Sequence, residues 1–334
     1  MRTTSGQRPR DARPTEAPES LVLAFDDNRL LAPLFGEHDE HLALIENRLK
    51  VDITPRGNRL SVRGEKAATE NARRVLMGLY QRAARGQEIT PGDVEGAIRM
   101  AGAPRQPSGT GEEIRTPRKL IAPRSAGQKA YLDAIAKNEL VFGVGPAGTG
   151  KTYLAVACAA AALMEGTIDR VILSRPAVEA GERLGFLPGD MKEKVDPYLR
   201  PLYDALYDMM PAAAVSRGLI DGSIEIAPLA FMRGRTLSSA FIILDEAQNT
   251  TPLQMKMFLT RLGEGSRMVV TGDPTQVDLP EGATSGLDHA LDVLEGVQGV
   301  EKVAFSTADI VRHPLVARIV TAYEKAGAAP KRRR

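Results

Sequence analysis

Apolar positions are almost absent from the start of the chain and then recur with two different periods. Residues 1–20 are rich in Pro, Arg and Glu and predict a disordered tail. Residues 21–25 form the first apolar run, a short strand. Leu30, Leu31 and Leu34, then Leu42, Ile45 and Leu49, recur at helix spacing, and Gly36 interrupts them. Residues 51–53 and 59–62 predict two strands joined by Pro55-Arg56-Gly57-Asn58, which is hairpin chemistry. A helix over residues 67–84 carries Val75, Leu76, Leu79 and Tyr80 on one face, and Thr90-Pro91-Gly92-Asp93 caps a shorter helix through Ile98. These elements make a small α+β domain over residues 21–100. Residues 101–119 show no apolar periodicity and predict a linker.

From residue 120 to 325 the pattern alternates. Segments 140–144, 170–174, 223–227, 241–244, 268–271 and 302–305 are strand candidates. Helical periodicity falls at 126–137, 152–165, 191–209, 252–262, 286–295 and 312–325. Such alternation predicts an α/β domain, a parallel sheet covered by helices on both faces. Residues 326–334 form a basic C-terminal tail.

Composition changes this picture little. The 334 residues carry 44 Lys/Arg and 42 Asp/Glu, so net charge alone predicts no polyanionic partner. Its distribution is uneven, however. Between Arg48 and Arg85 ten Lys/Arg face three Asp/Glu, a net of +7. That segment is either a phosphate-tracking surface or a solvated basic face balancing the acidic first helix. A single cysteine, Cys158, excludes an intrachain disulfide, fits a reducing cytosol and sits among alanines as a small apolar residue. The N-terminal stretch has no apolar signal region, and the longest apolar run, 154–164, falls short of the ~20 residues of a membrane span, so no membrane partner is expected.

Chemistry enters at Gly145-Pro146-Ala147-Gly148-Thr149-Gly150-Lys151-Thr152, between a predicted strand and an alanine-rich helix. The glycines let backbone N–H groups curl around a phosphate chain, and the helix N-terminus adds its dipole. Lys151 would reach the β- and γ-phosphates of ATP, and the Thr152 hydroxyl would sit on Mg²⁺. The run 241–244 then delivers Asp245 and Glu246 at a strand's C-terminal end, Asp245 as a Mg²⁺ ligand and Glu246 as general base for an attacking water. A third strand ends in Gly272-Asp273-Pro274-Thr275-Gln276, where Gln276 would sense the γ-phosphate or orient the water. Gln128, upstream of the loop, would pair with the adenine edge. Water activation by an Asp-Glu pair argues against a third class, a kinase-like phosphotransferase.

These segments resemble the PhoH family, single-core ATPases similar to the first core of superfamily-one helicases. Gly-Pro-Ala-Gly-Thr-Gly-Lys-Thr, Asp245-Glu246-Ala247-Gln248-Asn249 and the run from Gly272 to Pro280 carry the likeness. So do Ser174-Arg175-Pro176, the run from Gly181 to Gly189 and the run from Val311 to Val316. The resemblance covers residues 21–325. It implies a RecA-like P-loop NTPase core, ATP hydrolysis, a cytoplasmic location and a link to RNA metabolism. In some bacteria the family is associated with an endoribonuclease of ribosomal RNA maturation. The first domain resembles a small KH-like RNA-binding domain. At the place of the KH backbone clamp it reads Gly36-Glu37-His38-Asp39, without the second glycine and with two acids. Segment 174–200 carries Arg175, Arg183, Lys192, Lys194 and Arg200 at a position where helicase-like cores contact a nucleic-acid backbone; its five acids fit a plain surface loop equally. A single core lacks the arginine that a second core would supply in trans. Arg312 is the first candidate for that finger and Arg175 the second. The resemblance suggests a homo-oligomeric, hexameric ring that would bring Arg312 to a neighbour's phosphates. The rival reading is a nucleotide-dependent switch or scaffold that recruits an endoribonuclease without moving along RNA.

Overall fold

The computed structural model describes residues 19–102, 113–176, 191–280 and 282–311, with residues 191–197 described as helical backbone only. The chain divides into two compact units between Pro104 and Arg105. The tail over 1–18, residues 183 and 312, the helix over 312–325 and the basic end all lie outside the described residues.

In the first unit a three-stranded antiparallel sheet, ordered β1 (Glu19–Ala24), β3 (Arg59–Gly64), β2 (Asp52–Arg56), is covered on one face by helices. These are α1 (Leu31–Phe35), α2 (Glu40–Leu49), α3 (Lys66–Ala84) and α4 (Pro91–Ala101). β1 begins at Glu19, so the expected disordered tail does not reach residue 20; Glu19 and Ser20 pair with Gly64 and Arg63 because β3 runs on beyond Val62. The hairpin turn is tighter than its sequence implied. Pro55 and Arg56 continue β2, and only Gly57 (φ +62°) and Asn58 turn. Proline is tolerated because β2 is an edge strand with a side free of ladder bonds. Period-2 burial follows: Leu23, Ile53, Leu60 and Val62 point into the core with Leu34, Ile45, Leu76 and Leu79, while Val22, Thr54, Arg59 and Arg63 face out.

The second unit opens with a feature absent from the sequence reading. Within the expected linker, β4 (Ile114–Arg115) pairs antiparallel with β5 (Leu120–Ile121). Two-residue strands leave no periodicity to read. Arg118 N donates to Met209 O at 3.1 Å and Lys119 pairs with Asp208, which ties this hairpin to the second unit. The elements then run α5 (Ala126–Lys137), β6 (Leu140–Val144), α6 (Lys151–Met164), β7 (Arg170–Arg175), α7 (Met191–Met209), α8 (Ala212–Asp221) and β8 (Ile224–Pro228). They continue through β9 (Ala240–Leu244), α9 (Pro252–Leu259), β10 (Arg267–Gly272), α10 (Gly286–Val293) and β11 (Val300–Ala304). Helix α8 was not foreseen: only Val215 and Gly218 are buried along it, too little to give a helical stripe.

All six long strands are parallel, in the order β11-β6-β10-β9-β7-β8. The α/β core expected from alternation is therefore the fold observed, a P-loop NTPase sheet with helices on both faces. Alternate residues serve opposite layers. Val141, Leu173, Phe241, Ile243 and Val269 pack with α5, α6 and α7; Phe142, Ile172, Ile242, Leu244 and Val270 pack with α9 and α10. Cys158 packs half-buried against the first layer, and burial pushes its thiol up to about 12, so it is not a nucleophile at neutral pH. Among the described residues no helix is long and apolar enough to cross a membrane.

Candidate nucleotide site

β6, β10 and β9 are neighbours, so their C-terminal ends put three loops side by side. The first loop, residues 145–150, joins β6 to α6. Gly145 has φ +145°, and a Cβ there would lie 2.4 Å from the Phe305 carbonyl oxygen. Only glycine lets the chain leave β6 in this direction. Gly150, at φ +84°, holds the N-cap position of α6.

Lys151 is buried and its ammonium folds back over the loop, donating to Gly145 O at 2.6 Å and Pro146 O at 2.9 Å. Ala147 N donates to Asp273 Oδ2 at 3.1 Å. A carboxylate thus occupies a loop N–H that a phosphate oxygen would otherwise accept from. The remaining Asp273 bonds come from Thr275 N (3.0 Å), Thr275 Oγ1 (2.7 Å) and Gln276 Nε2 (2.6 Å). Burial raises the Asp273 carboxyl, but the bonds from Thr275 and Gln276 and the Lys151 charge outweigh it and hold the group below the usual carboxylate range.

Asp245 follows β9 and is buried. Its Oδ1 accepts from Thr152 Oγ1 at 2.6 Å and from Thr271 Oγ1 at 2.7 Å, which joins α6, β9 and β10 at one oxygen. This is a hard-oxygen donor set of the kind Mg²⁺ takes, completed by phosphate oxygens and water. No group of three or more His, Cys, Asp or Glu able to hold a metal exists among the described residues, so a cation here would rest on Thr152 and Asp245.

Glu246 lies in left-handed backbone, φ +53°, costly for a non-glycine residue and common at active sites. Its carboxylate is held at both oxygens. Arg175 Nη2, at the end of β7, is 3.3 Å from Oε1, and Gln248 Nε2 donates to Oε2 at 2.6 Å. Gln248 is fully buried; its Nε2 also reaches Gln276 O at 3.1 Å and its Oε1 accepts from Asp273 N at 3.0 Å. One amide therefore joins the Glu246 loop to the Gln276 loop. A second tie runs beside it, where Asp278 N donates to Asn249 Oδ1 at 2.7 Å.

The sequence-predicted residues thus separate. Lys151, Thr152, Asp245 and Glu246 meet at the carboxyl ends of the strands, and Gln276 joins them through Asp273. Gln128 lies beneath the loop, buried, its Nε2 donating to Thr149 O at 2.9 Å and its Oε1 accepting from Arg124 N at 2.7 Å. Adenine pairing would exchange one of these bonds. Arg175 turns onto Glu246 of its own chain rather than outward. Arg312 lies outside the described residues, although the backbone just before it is anchored: Val311 N donates to Gly148 O at 3.0 Å. Three participants went unassigned in the sequence: Gln248, Thr271 and the Arg175 contact with Glu246. The available signal was a polar residue at or just past the end of an apolar strand.

Comparison with known proteins gives the chain's family. A family model described as PhoH-like protein matches residues 120–324. A "PhoH-like protein" of Bacillus subtilis is 53% identical over 297 residues, 87% of this chain and 93% of that protein. "Protein PhoH" of Escherichia coli is 43% identical over 263 residues, 78% of this chain and 73% of that protein. Among solved structures, a Sulfolobus solfataricus SWI2/SNF2 ATPase core in complex with dsDNA aligns with 68% of this chain and 56% of its own, at 13% identity and a TM-score of 0.35, a likeness too slight to argue from.

Proposed function

The chain belongs to the PhoH-like protein family, and from that footing we propose that its second unit hydrolyses ATP and couples turnover to the handling of RNA. One observation carries the first half of this reading. Lys151, Thr152, Asp245 and Glu246 converge where three parallel strands end, each on the chemistry phosphoryl transfer to water needs.

The roles follow from the contacts. Lys151 leaves the Gly145 and Pro146 carbonyls for the β- and γ-phosphates. Ala147 N exchanges the Asp273 carboxylate for a phosphate oxygen. Thr152 and Asp245 would hold Mg²⁺, which would supply positive charge against the phosphates. Glu246 accepts a proton from water as the water oxygen bonds the γ-phosphorus and the bond to the β–γ bridging oxygen breaks, leaving ADP and phosphate. Arg175 and Gln248 fix the Glu246 carboxylate, and Gln276 reports the γ-phosphate through Asp273. Gln128 gives preference for adenine.

RNA is supported by the basic run from Arg48 to Arg85 in the first unit and by the family resemblance. The same reading has the protein cytoplasmic and homo-oligomeric, with Arg312 completing a neighbour's site in a ring. A second reading, a switch that recruits an endoribonuclease, is favoured by the Gln248 bridge, which would pass nucleotide state from one loop to the next without translocation. Phosphate release with and without added RNA tests the pair. Release that RNA stimulates and that Lys151→Ala abolishes is expected. Absence of release from the unaltered chain would remove the ATPase reading, and release indifferent to RNA would favour the switch.

A further inference from the structure

In the first unit, three arginine side chains face one side of the sheet without a partner among the described residues. The cross-strand register aligns Ser20, Arg63 and Asp52 in one row, Val22, Ser61 and Thr54 in the next, and Ala24, Arg59 and Arg56 at the hairpin end. Arg56, Arg59 and Arg63 are exposed, and none makes a hydrogen bond or ion pair among the described residues. Arg63 lies opposite Asp52 in the register and still forms no ion pair with it. Every other arginine described in this unit is engaged. Arg48 pairs with Glu95, Arg73 and Arg74 with Glu70, Arg82 with Asp93 and Arg29 with Asp27; Arg85 and Arg99 also have partners.

The face these arginines line is concave, a groove of about 700 Å³. Concavity decides the partner's form. A duplex is read by an element that projects into its groove, and this face has nothing to insert. A single strand can lie along it. The lining also decides what is read. It holds no aromatic side chain, so bases have no stacking platform, whereas arginine forks and the Ser61 and Thr54 hydroxyls suit phosphate and sugar oxygens. Arg59 and Arg63 stand four residues apart on β3, about 13 Å along the strand, and Arg56 lies directly across from Arg59.

We propose that this open sheet face, rather than the Gly36–Asp39 turn, binds the backbone of single-stranded nucleic acid without reading its sequence, with Arg56, Arg59 and Arg63 as the phosphate contacts. The Gly36–Asp39 turn is a poor alternative. A Cβ at Gly36 would already meet the His41 ring at 2.8 Å, and the turn exposes Glu37, Asp39 and Glu40. The proposal rests on the RNA half of the proposed function and is independent of ATP hydrolysis.

The test is fluorescence anisotropy of the full chain with a labelled single-stranded RNA, and with DNA of the same sequence, over a series of salt concentrations. Replacing Arg56, Arg59 and Arg63 together by Gln should weaken binding by about tenfold and reduce the log–log salt slope by about 2, at ~0.7 per lost contact. Replacing all three by Lys should retain the slope, since a point charge still meets phosphate. Replacing the paired residues Arg29, Arg73 and Arg74 by Gln should change neither. A slope unchanged in the first variant, or an equal loss in the paired-arginine control, overturns the proposal. So does displacement of a bound glutamate polymer but not of nucleic acid, which would assign the face to an acidic protein. Loss on both RNA and DNA supports phosphate contact, and a larger loss on RNA adds the 2′-hydroxyl. Phosphate release without added RNA is measured on the same variants. Its absence in every variant would count against the ATPase reading and leave the binding result intact.

Discussion

Asp273 has both carboxylate oxygens engaged and Gln248 has both ends of its amide engaged, whereas the side chains of Arg56, Arg59 and Arg63 in the other unit have no partner among the described residues. The difference follows from burial. Asp245, Gln248 and Asp273 are taken out of water, and each polar atom left unmatched there would cost about 1–3 kcal/mol. The sheet-face arginines remain solvated and need no partner to fold. A buried site must be internally satisfied before its ligand arrives, so ligand binding there is an exchange of bonds. An exposed face binds by adding bonds.

That contrast predicts a graded set of outcomes. The largest is catalytic. Glu246→Gln keeps the shape and the Gln248 neighbour but removes the base, and it should lower ATP turnover by about 10²–10⁴-fold with nucleotide affinity retained, read by phosphate release and by equilibrium binding. Wild-type turnover in that variant would remove Glu246 from the chemistry. Next comes stability. Gln248→Ala leaves Asp273 N and Glu246 Oε2 without their partner and should destabilise the second unit by about 2–3 kcal/mol in chemical denaturation. A change near zero would mean that the two loops are held by other bonds, such as the one between Asn249 and Asp278.

Acid comes third. The Asp273 carboxyl is held below its usual value in the folded chain, so its contribution is present above the unfolded value of about 3.9 and is lost as pH falls through the lower, folded value. Stability should therefore fall with acidification below about pH 4, less steeply in Asp273→Asn, as followed by thermal melts across that range. The smallest effect belongs to the other unit. Replacing Arg56, Arg59 and Arg63 by Gln should shift folding stability by no more than about 0.5 kcal/mol. A larger loss would show that the sheet face is structural after all.

The sequence made the second unit's fold legible because its central strands β6, β7, β9 and β10 are largely buried on both faces and read as apolar runs. The phosphate loop was equally legible, since glycine positions, Lys151 and Thr152 are fixed by local geometry. What stayed hidden was non-local. β4 and β5 exist only because they pair with each other, and α8 buries two residues. Gln248 acts through contacts 25 and 28 residues away in sequence, and Arg175 through one on another strand's end. Spacing along the chain carries no trace of such contacts. In the first unit the +7 segment was visible as charge, but which arginines pair and which do not depends on the positions of Glu70, Asp93 and Glu95 after folding.

The bond from Val311 N to Gly148 O has a mechanical meaning. Force applied at Val311 would act on the tip of the phosphate loop and, through the bond from Gly127 N to Asp309 Oδ1 at 3.1 Å, on the start of α5. A phosphate gripped by the same loop would stiffen the anchor from the other side. Pulled through Val311 in a force spectrometer, the protein should rupture at higher force with nucleotide bound than without it, and the converse coupling would let load on that residue alter how tightly nucleotide is held.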